Sequence, residues 1–261
     1  SKGRIKYQDI TKVVSGYSRE CLNLTSIFYK KIFKKVHKTK NIAIAEFSKL
    51  YENSYRAVNI SLANEMKMVC DKFNINIYDI INASRTKPFG FTSFLPGPGM
   101  GGHCIPIDPL FISWAAKKKK APTTFIQNSR KINEKITNWI LKKIEKNINP
   151  VNKKILILGV AYKQNVNDIR ESPAIKIFDY LSKKSKNIFF HDPHVNKIFI
   201  KNKKIESLKK IKYNNLKSYD AIIICTDHDY YNFKKVVRNS KLIFDTRGVM
   251  RKTKFQNENY I

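Results

Sequence analysis

One cysteine closes the most glycine-rich segment of the chain, PGPGMGGHC at residues 96–104. Four glycines lie within residues 97–102, and the carboxylate of Asp108 follows Cys104 by four positions. Glycines let backbone amides approach a ligand closely, and a thiol becomes a strong nucleophile where a nearby cation or amide cluster favours the thiolate. A thiol in this setting can therefore be a nucleophile, and the four glycines before Cys104 favour a functional role for it. The alternative is a buried structural cysteine in a tight turn, which is the commoner case for a lone cysteine.

The same segment has the spacing G-x-G-x-x-G in Gly97, Gly99 and Gly102, which is typical of loops that hold a dinucleotide pyrophosphate. Such a loop needs a buried strand before it and a helix directly after it. The preceding FGFTSFLP has no continuous aliphatic run, and the following CIPIDP contains two prolines. We therefore expect this loop not to bind a dinucleotide in that way.

Three polar side chains lie on a long helix predicted from Ala43 to about Phe73, where apolar residues recur at intervals of three and four. Lys49, Asn53 and Arg56 are spaced i, i+4 and i+7, so they share one face of this helix. They could converge on a ligand or form an ordinary polar stripe in water. Their spacing alone favours the stripe.

Histidines raise the question of a metal site, since His103 adjoins the cysteine and His191 and His194 lie together in HDPH. The HDPH pair encloses a proline, and no C-x-x-C pair exists among the cysteines at positions 21, 70, 104 and 225. We predict no metal site, polar loop histidines at strand ends, and four free thiols.

The elements before residue 150 are mostly helical. ITKVVSG predicts a strand, and the segment from Arg19 to about Lys35 predicts a helix. Together they make half of a folding unit, and nothing earlier in the sequence offers the sheet that the strand should join. Further helices are predicted over Asn76–Arg85, from Pro109 to the lysines at 117–120, and over Phe125–Lys146. KNINPVNKK at 146–154 breaks the pattern and predicts a domain boundary.

Short apolar strands alternate with helices after that boundary: KKILILGVAY, NIFFHDPHV, YDAIIICTDH and KLIFDTRG, with Ser172 as the expected N-cap of the helix SPAIKIFDYL. This alternation predicts a parallel sheet, whose ligands bind at the carboxyl ends of the strands. The candidate ligand groups at those ends are Tyr162, Lys163, Arg170, Asp227 and Arg247.

Composition excludes several classes of protein. The 51 basic and 20 acidic side chains give a formal charge of +31, but the lysines are dispersed rather than gathered on one face, which argues against a nucleic-acid-binding protein. No apolar run is long enough to cross a membrane, and no signal peptide is visible at the N-terminus, so we expect a cytoplasmic protein without a membrane partner.

Five longer motifs resemble successive motifs of the UDP-glucose/GDP-mannose dehydrogenase family: KLYENSYRAVNISLANEM, TKPFGFTSFLPGPGMGGHCIPIDP, ILILGVAYKQNVNDIRESPA, HDPHV and FDTRG. They occur in family order and cover most of the chain. The loop is most similar to the branch that oxidises UDP-N-acetylhexosamines, such as UDP-N-acetylglucosamine 6-dehydrogenases of surface polysaccharide biosynthesis. UDP-glucose is the alternative substrate.

The resemblance implies a chemistry in which the C6 alcohol of a UDP-sugar is oxidised twice to a carboxylate while two NAD are reduced. It implies that Cys104 forms a thiohemiacetal and then a thioester, which water hydrolyses. Lys49 and Asn53 match residues that stabilise the oxyanion and handle protons, and Asp108 matches the carboxylate that assists the water. On this basis the helix face is functional rather than a solvated stripe.

The resemblance also implies binding residues and an architecture. Arg56, Gly101, Lys163 and Arg247 match contacts to the UDP-sugar, and Arg170 matches a contact to NAD. The implied fold is α/β, with a remnant of an N-terminal Rossmann domain (1–40), a central helical dimerisation domain (41–148) and a C-terminal Rossmann-like UDP-sugar-binding domain (149–261). A homodimer through the long helix is expected.

Two features depart from the family pattern. Most of the N-terminal NAD domain is expected to be missing, so the chain alone should bind a UDP-sugar without reducing NAD. An arginine that reaches into the neighbouring subunit in the UDP-glucose branch aligns with Pro88, three residues from Arg85. Either the sugar differs or this contact is lost. A non-catalytic oligomerisation or nucleotide-binding remnant is the competing hypothesis.

Overall fold

A computed structural model describes residues 6–250 of the chain. Its contacts divide the chain into two units, Ser1–Tyr55 and Arg56–Ile261. Each unit is described by itself. The boundaries expected from the sequence, after residues 40 and 148, stay predictions.

The first unit is a small strand–helix–strand arrangement. It contains a 3₁₀ turn and three elements: β1 (Lys12–Val14), α1 (Arg19–Lys30) and β2 (Val36–Lys38). The two strands pair in parallel. The sequence prediction was wrong on the end of the helix, because α1 ends five residues before Lys35. The partner strand of β1 lies later in the chain, where no strand was predicted. The strand β2, with the sequence VHK, contains one apolar residue and therefore has no periodic signal.

The long helix predicted from the sequence is confirmed as α2, which runs from Ile42 to Lys72 and so passes from the first unit into the second. Its first turn is capped by Asn41, whose side chain accepts a hydrogen bond from the amide of Ile44 at 2.9 Å. The 31 residues of α2 contain no glycine or proline, which accounts for its uninterrupted length.

Three further helices confirm the predicted pattern: α3 (Ile77–Ser84), α4 (Asp108–Lys118) and α5 (Thr124–Asn147). Residues 85–107 form only turns and irregular structure, so neither a strand nor a helix directly flanks the glycine loop. No helix within residues 6–250 is long and apolar enough to cross a bilayer.

The predicted parallel sheet is confirmed in the second unit. Its strands are β3 (Ile155–Leu158), β4 (Ile188–His191), β7 (Ala221–Ile224) and β8 (Ile243–Asp245), in the order β4-β3-β7-β8 and all parallel. Helices α6 (Pro173–Ser182) and α7 (Phe233–Asn239) alternate with them. Ser172 occupies the N-cap position of α6 as predicted, but its side chain makes no capping hydrogen bond.

An antiparallel hairpin was missed by the sequence prediction. It consists of β5 (Lys197–Ile200) and β6 (Lys203–Glu206), joined at Lys201 and Asn202, both of which have positive φ. The segment reads KIFIKNKKIE, in which lysines occupy many of the outward positions. The alternation of apolar residues is therefore too short to predict a hairpin.

The core lies on both sides of the sheet, whose central strands β3 and β7 are completely buried. One face is covered by α5 and α6 through Ile136, Ile144, Ile177 and Phe178. Burying such a side chain stabilises the fold by about 1.5–3 kcal/mol. Because α5 belongs to this core, it is a rigid support for the loops that contact it.

Candidate functional site

The glycine loop is attached to two helices by hydrogen bonds to buried or half-buried side chains. The amide of Gly97 donates to Oδ1 of Asn64 on α2 at 2.9 Å. The Oγ1 of Thr137 on α5 donates to the carbonyl of Pro98 at 2.7 Å. A third bond joins the amide of Met100 to Oδ1 of Asn133. These bonds fix the course of the loop up to the cysteine.

The loop then contacts the C-terminal sheet region. The amide of Gly102 donates to the carbonyl oxygen of Arg170 at 2.8 Å. A Cβ built on Gly101 would lie 2.6 Å from Cβ of Tyr162, and one on Gly102 would lie 2.8 Å from the Tyr162 ring. Gly102 also has φ of +88°. Glycine is therefore required here for the close approach of two chain segments.

Cys104 lies half-buried in the turn that leads into α4. Its carbonyl oxygen accepts hydrogen bonds from the amides of Ile107 (3.1 Å) and Asp108 (2.8 Å). Asp108 is the first residue of α4. The thiol and the carboxylate that the sequence singled out are thus held at the two ends of one hydrogen-bonded turn.

Arg247 connects the ends of two strands with the loop that follows β3. Its Nε donates to the carbonyl of Cys225 at 2.7 Å and its guanidinium to the carbonyl of Tyr162 at 3.3 Å. A Cβ built on Gly97 would lie 3.0 Å from the same guanidinium. Arg247 therefore lies where the glycine loop meets the carboxyl end of the sheet.

Asp192 also fixes the loop after β3, through the amides of residues that precede Tyr162. One of its carboxylate oxygens accepts hydrogen bonds from the amides of Val160 (2.7 Å) and Ala161 (2.9 Å) and from Nε2 of His228 (3.0 Å). Burial raises the pKa of Asp192, but the hydrogen bonds from His228 and the amides outweigh this effect, so that the net pKa is lowered. The carboxylate is therefore kept in its charged form.

Lys163 and Tyr162 stand on the loop held in this way. Lys163 is exposed, and its Nζ lies 5.2 Å from the centre of the Tyr162 ring. Asp227, after β7, is half-buried. The carboxyl ends of β3, β7 and β8 thus bring together Tyr162, Lys163 and Arg247, as the parallel sheet predicted.

Arg170 forms an ion pair with Asp168, in which the guanidinium donates to both carboxylate oxygens at 2.7–3.2 Å. The pKa of Asp168 falls to about 2, chiefly because of the hydrogen bond from Arg170. The pKa of Arg170 is raised, first by Asp168 and to a smaller extent by the charges of Tyr162 and Cys104. The Arg170 backbone, through its carbonyl, is bound to the glycine loop at Gly102.

The helix residues implied by the resemblance lie on α2 across the division between the two units. Lys49 is exposed and lies 3.4 Å from the carboxylate of Glu52, while Asn53 is buried. Both belong to the first unit, and Arg56, half-buried, begins the second. Their roles stay predictions.

The two histidines predicted to be polar loop residues differ from each other. His191 ends β4 and is buried, with Nδ1 at 3.3 Å from the Tyr231 hydroxyl, whereas His194 is exposed. The prediction was wrong for His191, because its ring fills the space beside Tyr230 and Tyr231. Within residues 6–250, no three His, Cys, Asp or Glu side chains form a cluster that could hold a metal ion.

A cavity of about 210 Å³ lies beside the cysteine turn and is lined by Met100, Ile105, Pro106, Ile107, Glu171 and Lys176, among others. A larger cavity of about 610 Å³ between α5, α6 and the hairpin contains none of the predicted site residues. The candidate site is therefore the junction of the glycine loop with the sheet edge, and not this larger cavity.

Sequence reasoning missed the residues that hold this junction together: Asn64, Asn133, Thr137, Asp192 and His228. Asn64 and Asn133 are each 33 positions from their loop partners, so no local spacing could reveal them. The sequence shows an Asp-Pro pair directly after β4, but nothing in it predicts that the Asp192 carboxylate binds the amides that follow β3.

Comparison with known proteins assigns the segment that contains the glycine loop and the segment that contains the parallel sheet to one family. Residues 43–135 match the central domain of the UDP-glucose/GDP-mannose dehydrogenase family, and residues 156–252 match its UDP binding domain. The chain belongs to this family. The resemblance found in the sequence motifs is thereby confirmed, and so is the α/β fold class.

Relatives in the UDP-glucose/GDP-mannose dehydrogenase family extend beyond the matched region. A UDP-N-acetyl-D-mannosamine dehydrogenase of Methanococcus vannielii is 34% identical over 252 residues, which are 92% of this chain and 56% of the relative. The structure of the Pyrococcus horikoshii UDP-D-ManNAc dehydrogenase matches with a TM-score of 0.76, at 29% identity, over 92% of this chain and 56% of that one.

A third member, the UDP-N-acetyl-mannosamine dehydrogenase Cap5O of Staphylococcus aureus, matches with a TM-score of 0.74 at 30% identity and covers 97% of this chain and 58% of that one. The chain thus spans little more than half the length of the relatives it matches.

Proposed function

We propose that this chain supplies the sugar-nucleotide-binding and thiol-bearing parts of an NAD-dependent nucleotide-sugar 6-dehydrogenase. The observation that carries the proposal is the junction at Gly101 and Gly102. There the loop that ends in Cys104 packs against Tyr162 and the carboxyl edge of the sheet. Ligands of parallel sheets bind at that edge, so a nucleotide-sugar held there would present its sugar to the loop.

The chemistry assigned to the thiol begins when the Cys104 sulfur adds to the C6 carbonyl carbon of the aldehyde derived from the sugar. A thiohemiacetal results, and its oxidation gives a thioester. Asp108 assists the water that releases the carboxylate and regenerates the thiol. Lys49 and Asn53 stabilise the negative oxygen of the addition step. NAD would supply the hydride acceptor for both oxidations, of the alcohol to the aldehyde and of the thiohemiacetal to the thioester, with one NAD consumed for each hydride.

The residues described here fit NAD only in part. The G-x-G-x-x-G spacing does not fit a dinucleotide pyrophosphate, because the loop is not flanked by a strand and a helix. Arg170 is an exposed cation whose backbone is bound to the glycine loop, and it suits the cofactor contact that the resemblance implies.

The proposed substrate is UDP-N-acetylmannosamine, because the similar proteins reported above are named for it. UDP-N-acetylglucosamine and UDP-glucose are the alternatives. Arg56, Gly101, Lys163 and Arg247 are the proposed contacts to the nucleotide-sugar. The backbone of Gly101, rather than a side chain, would provide its contact, since the residue is buried against Tyr162.

We also propose a homodimer formed through α2. Within residues 56–72 of this helix, Leu62, Met66 and Val69 follow the spacing i, i+4 and i+7 and are exposed by 53%, 36% and 41%. An apolar stripe of this kind on a water-facing helix is typical of a surface that packs against a second copy.

Isothermal titration calorimetry of the purified chain with UDP-N-acetylmannosamine tests the binding half of the proposal. We expect saturable binding with one site per chain, and an affinity at least about tenfold lower in Arg247→Ala, since a charge-assisted contact contributes about 1.5–3 kcal/mol. Arg238→Ala, at an exposed position on α7, is the matched control and should bind normally. If neither UDP-N-acetylhexosamines nor UDP-glucose bind, the proposal is wrong.

A further inference from the structure

We propose that Asp245 is a positioning residue for Arg247. Its carboxylate fixes the turn that carries the arginine and thereby holds the guanidinium in one place before a ligand binds. The inference rests on the proposed function, in which Arg247 contacts the nucleotide-sugar. It assigns a role to the aspartate of the FDTRG motif, which is not among the proposed contacts to the ligand.

The turn that follows β8 is folded around the Asp245 side chain. Asp245 is the last residue of β8, and one of its carboxylate oxygens accepts a hydrogen bond from the amide of Arg247 at 3.0 Å. The other oxygen accepts a hydrogen bond from the amide of Met250 at 2.8 Å. The carboxylate therefore binds both the backbone of the arginine and the far end of the turn.

The same turn is anchored after the arginine as well. Val249 and Met250 are buried against the face of the sheet that α7 covers. Gly248 has φ of +63°, and a Cβ built on it would overlap the ring of Tyr78 on α3. The backbone that carries Arg247 is therefore fixed on both sides of this residue.

The Arg247 side chain uses only part of its hydrogen-bonding capacity within the protein. Its Nε donates to the carbonyl of Cys225 at 2.7 Å, and its Nη2 donates to the carbonyl of Tyr162 at 3.3 Å. Nη1 lies beside Gly97 and makes no hydrogen bond within the described residues 6–250. A half-buried cation whose two acceptors are uncharged, and which keeps a donor available, suits an anionic ligand such as a diphosphate.

Fixing this cation in advance should strengthen binding. An arginine that is mobile in the free protein loses rotational freedom when a ligand immobilises it, and this loss corresponds to about two- to tenfold in affinity. The guanidinium reaches the carbonyls of Cys225 and Tyr162 only if the turn places the backbone of Arg247 correctly. Removing the Asp245 carboxylate should free the turn and give the side chain other rotamers.

Nuclear magnetic resonance of the arginine Nε–H groups tests the positioning without any ligand. The Nε–H of Arg247 donates to the Cys225 carbonyl, so in the full chain it should exchange its hydrogen with water slowly. Its resonance is identified by its loss in Arg247→Lys. We expect exchange at least about tenfold faster in Asp245→Ala, and an intermediate rate in Asp245→Asn, which keeps one oxygen as an acceptor.

Asp220→Ala is the matched control. The Asp220 carboxylate also accepts a hydrogen bond from a backbone amide, that of Lys154 at 2.8 Å, but it lies at the amino ends of the strands, opposite to Asp245. Its replacement should leave exchange at Arg247 unchanged. Exchange as slow in Asp245→Ala as in the unaltered chain would overturn the inference. If Asp245→Ala does not fold, the same comparison in Asp245→Asn decides the matter.

A double-mutant cycle tests whether Asp245 acts on the ligand through Arg247. Calorimetry with UDP-N-acetylmannosamine should give an affinity about two- to tenfold lower in Asp245→Asn, and no further loss when the same change is added to Arg247→Ala. A merely structural role of Asp245 would lower the affinity by the same factor in both backgrounds. Equal factors, or a normal affinity in Asp245→Asn while Arg247→Ala binds weakly, would overturn the inference.

Failure of the inference and failure of the proposed function have different signatures. If the chain binds no UDP-sugar, or if Arg247→Ala binds as well as the unaltered chain, the proposed contact of Arg247 is wrong. The exchange of the Nε hydrogen needs no ligand, so it still decides whether Asp245 positions Arg247.

Discussion

His228 donates its Nε2 hydrogen to the carboxylate of Asp192 at 3.0 Å, and both side chains are completely shielded from water. The Nδ1 of the same ring accepts a hydrogen bond from the amide of Asn165 at 2.9 Å, so the ring is neutral with its hydrogen on Nε2. The pair thereby holds both ends of the loop at residues 160–165, which carries Tyr162 and Lys163.

The first prediction concerns this pair. Asp192→Ala leaves the amides of Val160 and Ala161 and the His228 ring without their acceptor, and we expect it to lower the free energy of unfolding by about 3 kcal/mol or more. Urea denaturation measures the change. Asp229→Ala is the control, because its carboxylate binds the same loop from an exposed position, and it should cost less than about 1 kcal/mol.

Stability should depend on pH through His191. Burial lowers the pKa of His191 from 6.5 to about 4. The unfolded chain therefore takes up this proton at a higher pH than the folded chain, and stability falls as the pH decreases from 6.5 to 4. Over this range the free energy of unfolding should fall by about 3 kcal/mol.

Chemical denaturation at pH 7 and pH 4.5 tests this dependence. His191→Phe keeps a ring in the buried space but removes the titration, so the pH dependence should become shallower. His37→Gln, at an exposed position, is the matched control substitution. An equally steep profile in His191→Phe would contradict the assignment.

The close packing at the junction predicts that two glycines with positive φ, Gly90 and Gly102, differ in how much stability is lost when each is replaced by alanine. In Gly90→Ala the added methyl group has no atom within 4 Å, so only the left-handed backbone conformation is unfavourable. We expect the free energy of unfolding to fall by about 1–2 kcal/mol. Gly102→Ala places a methyl group 2.8 Å from the Tyr162 ring. We expect it to lower the free energy of unfolding by at least about 1 kcal/mol more than Gly90→Ala. Thermal unfolding of both variants checks the difference, and equal costs would argue against the packing described here.

The cysteines should differ in reactivity toward iodoacetamide in the native chain. Burial raises the pKa of Cys225 to about 12, whereas the Ser18 hydroxyl lowers the pKa of the exposed Cys21. At pH 7.5 we expect modification of Cys21 and Cys104 and none of Cys225. Mass spectrometry of the tryptic peptides reports each site, and complete unfolding in urea should make all four thiols reactive.

The fold could be predicted where apolar periodicity is strong. α2 and α5 have long patterns at intervals of three and four, and β3 and β7 are short aliphatic runs, so their residue types determined the prediction. The strand β2 and the hairpin β5–β6 were missed, because each has few apolar residues and relies on partners elsewhere in the fold. Periodicity carries no information about such pairing.

The candidate site could be predicted only in part. Cys104 could be singled out from the sequence because it follows four closely spaced glycines. Arg247 could be singled out because it follows a strand of the predicted parallel sheet. The proximity of Arg170 to Cys104 was not predictable, since the two are 66 positions apart in the sequence and are brought together by the Gly102 hydrogen bond. The sequence singled out Arg170 as a candidate ligand group near the strand ends and, through the family resemblance, as a contact to NAD.

The most direct test of the central claim measures formation of the uronic acid in an assembled enzyme. The chain is joined to an intact NAD-binding domain of its family, supplied with UDP-N-acetylmannosamine and NAD, and the carboxylate product is quantified by mass spectrometry. We predict that Cys104→Ser lowers the rate of acid formation at least about a hundredfold, whereas Cys21→Ser leaves it unchanged. Acid formation at an unaltered rate in Cys104→Ser would contradict the account.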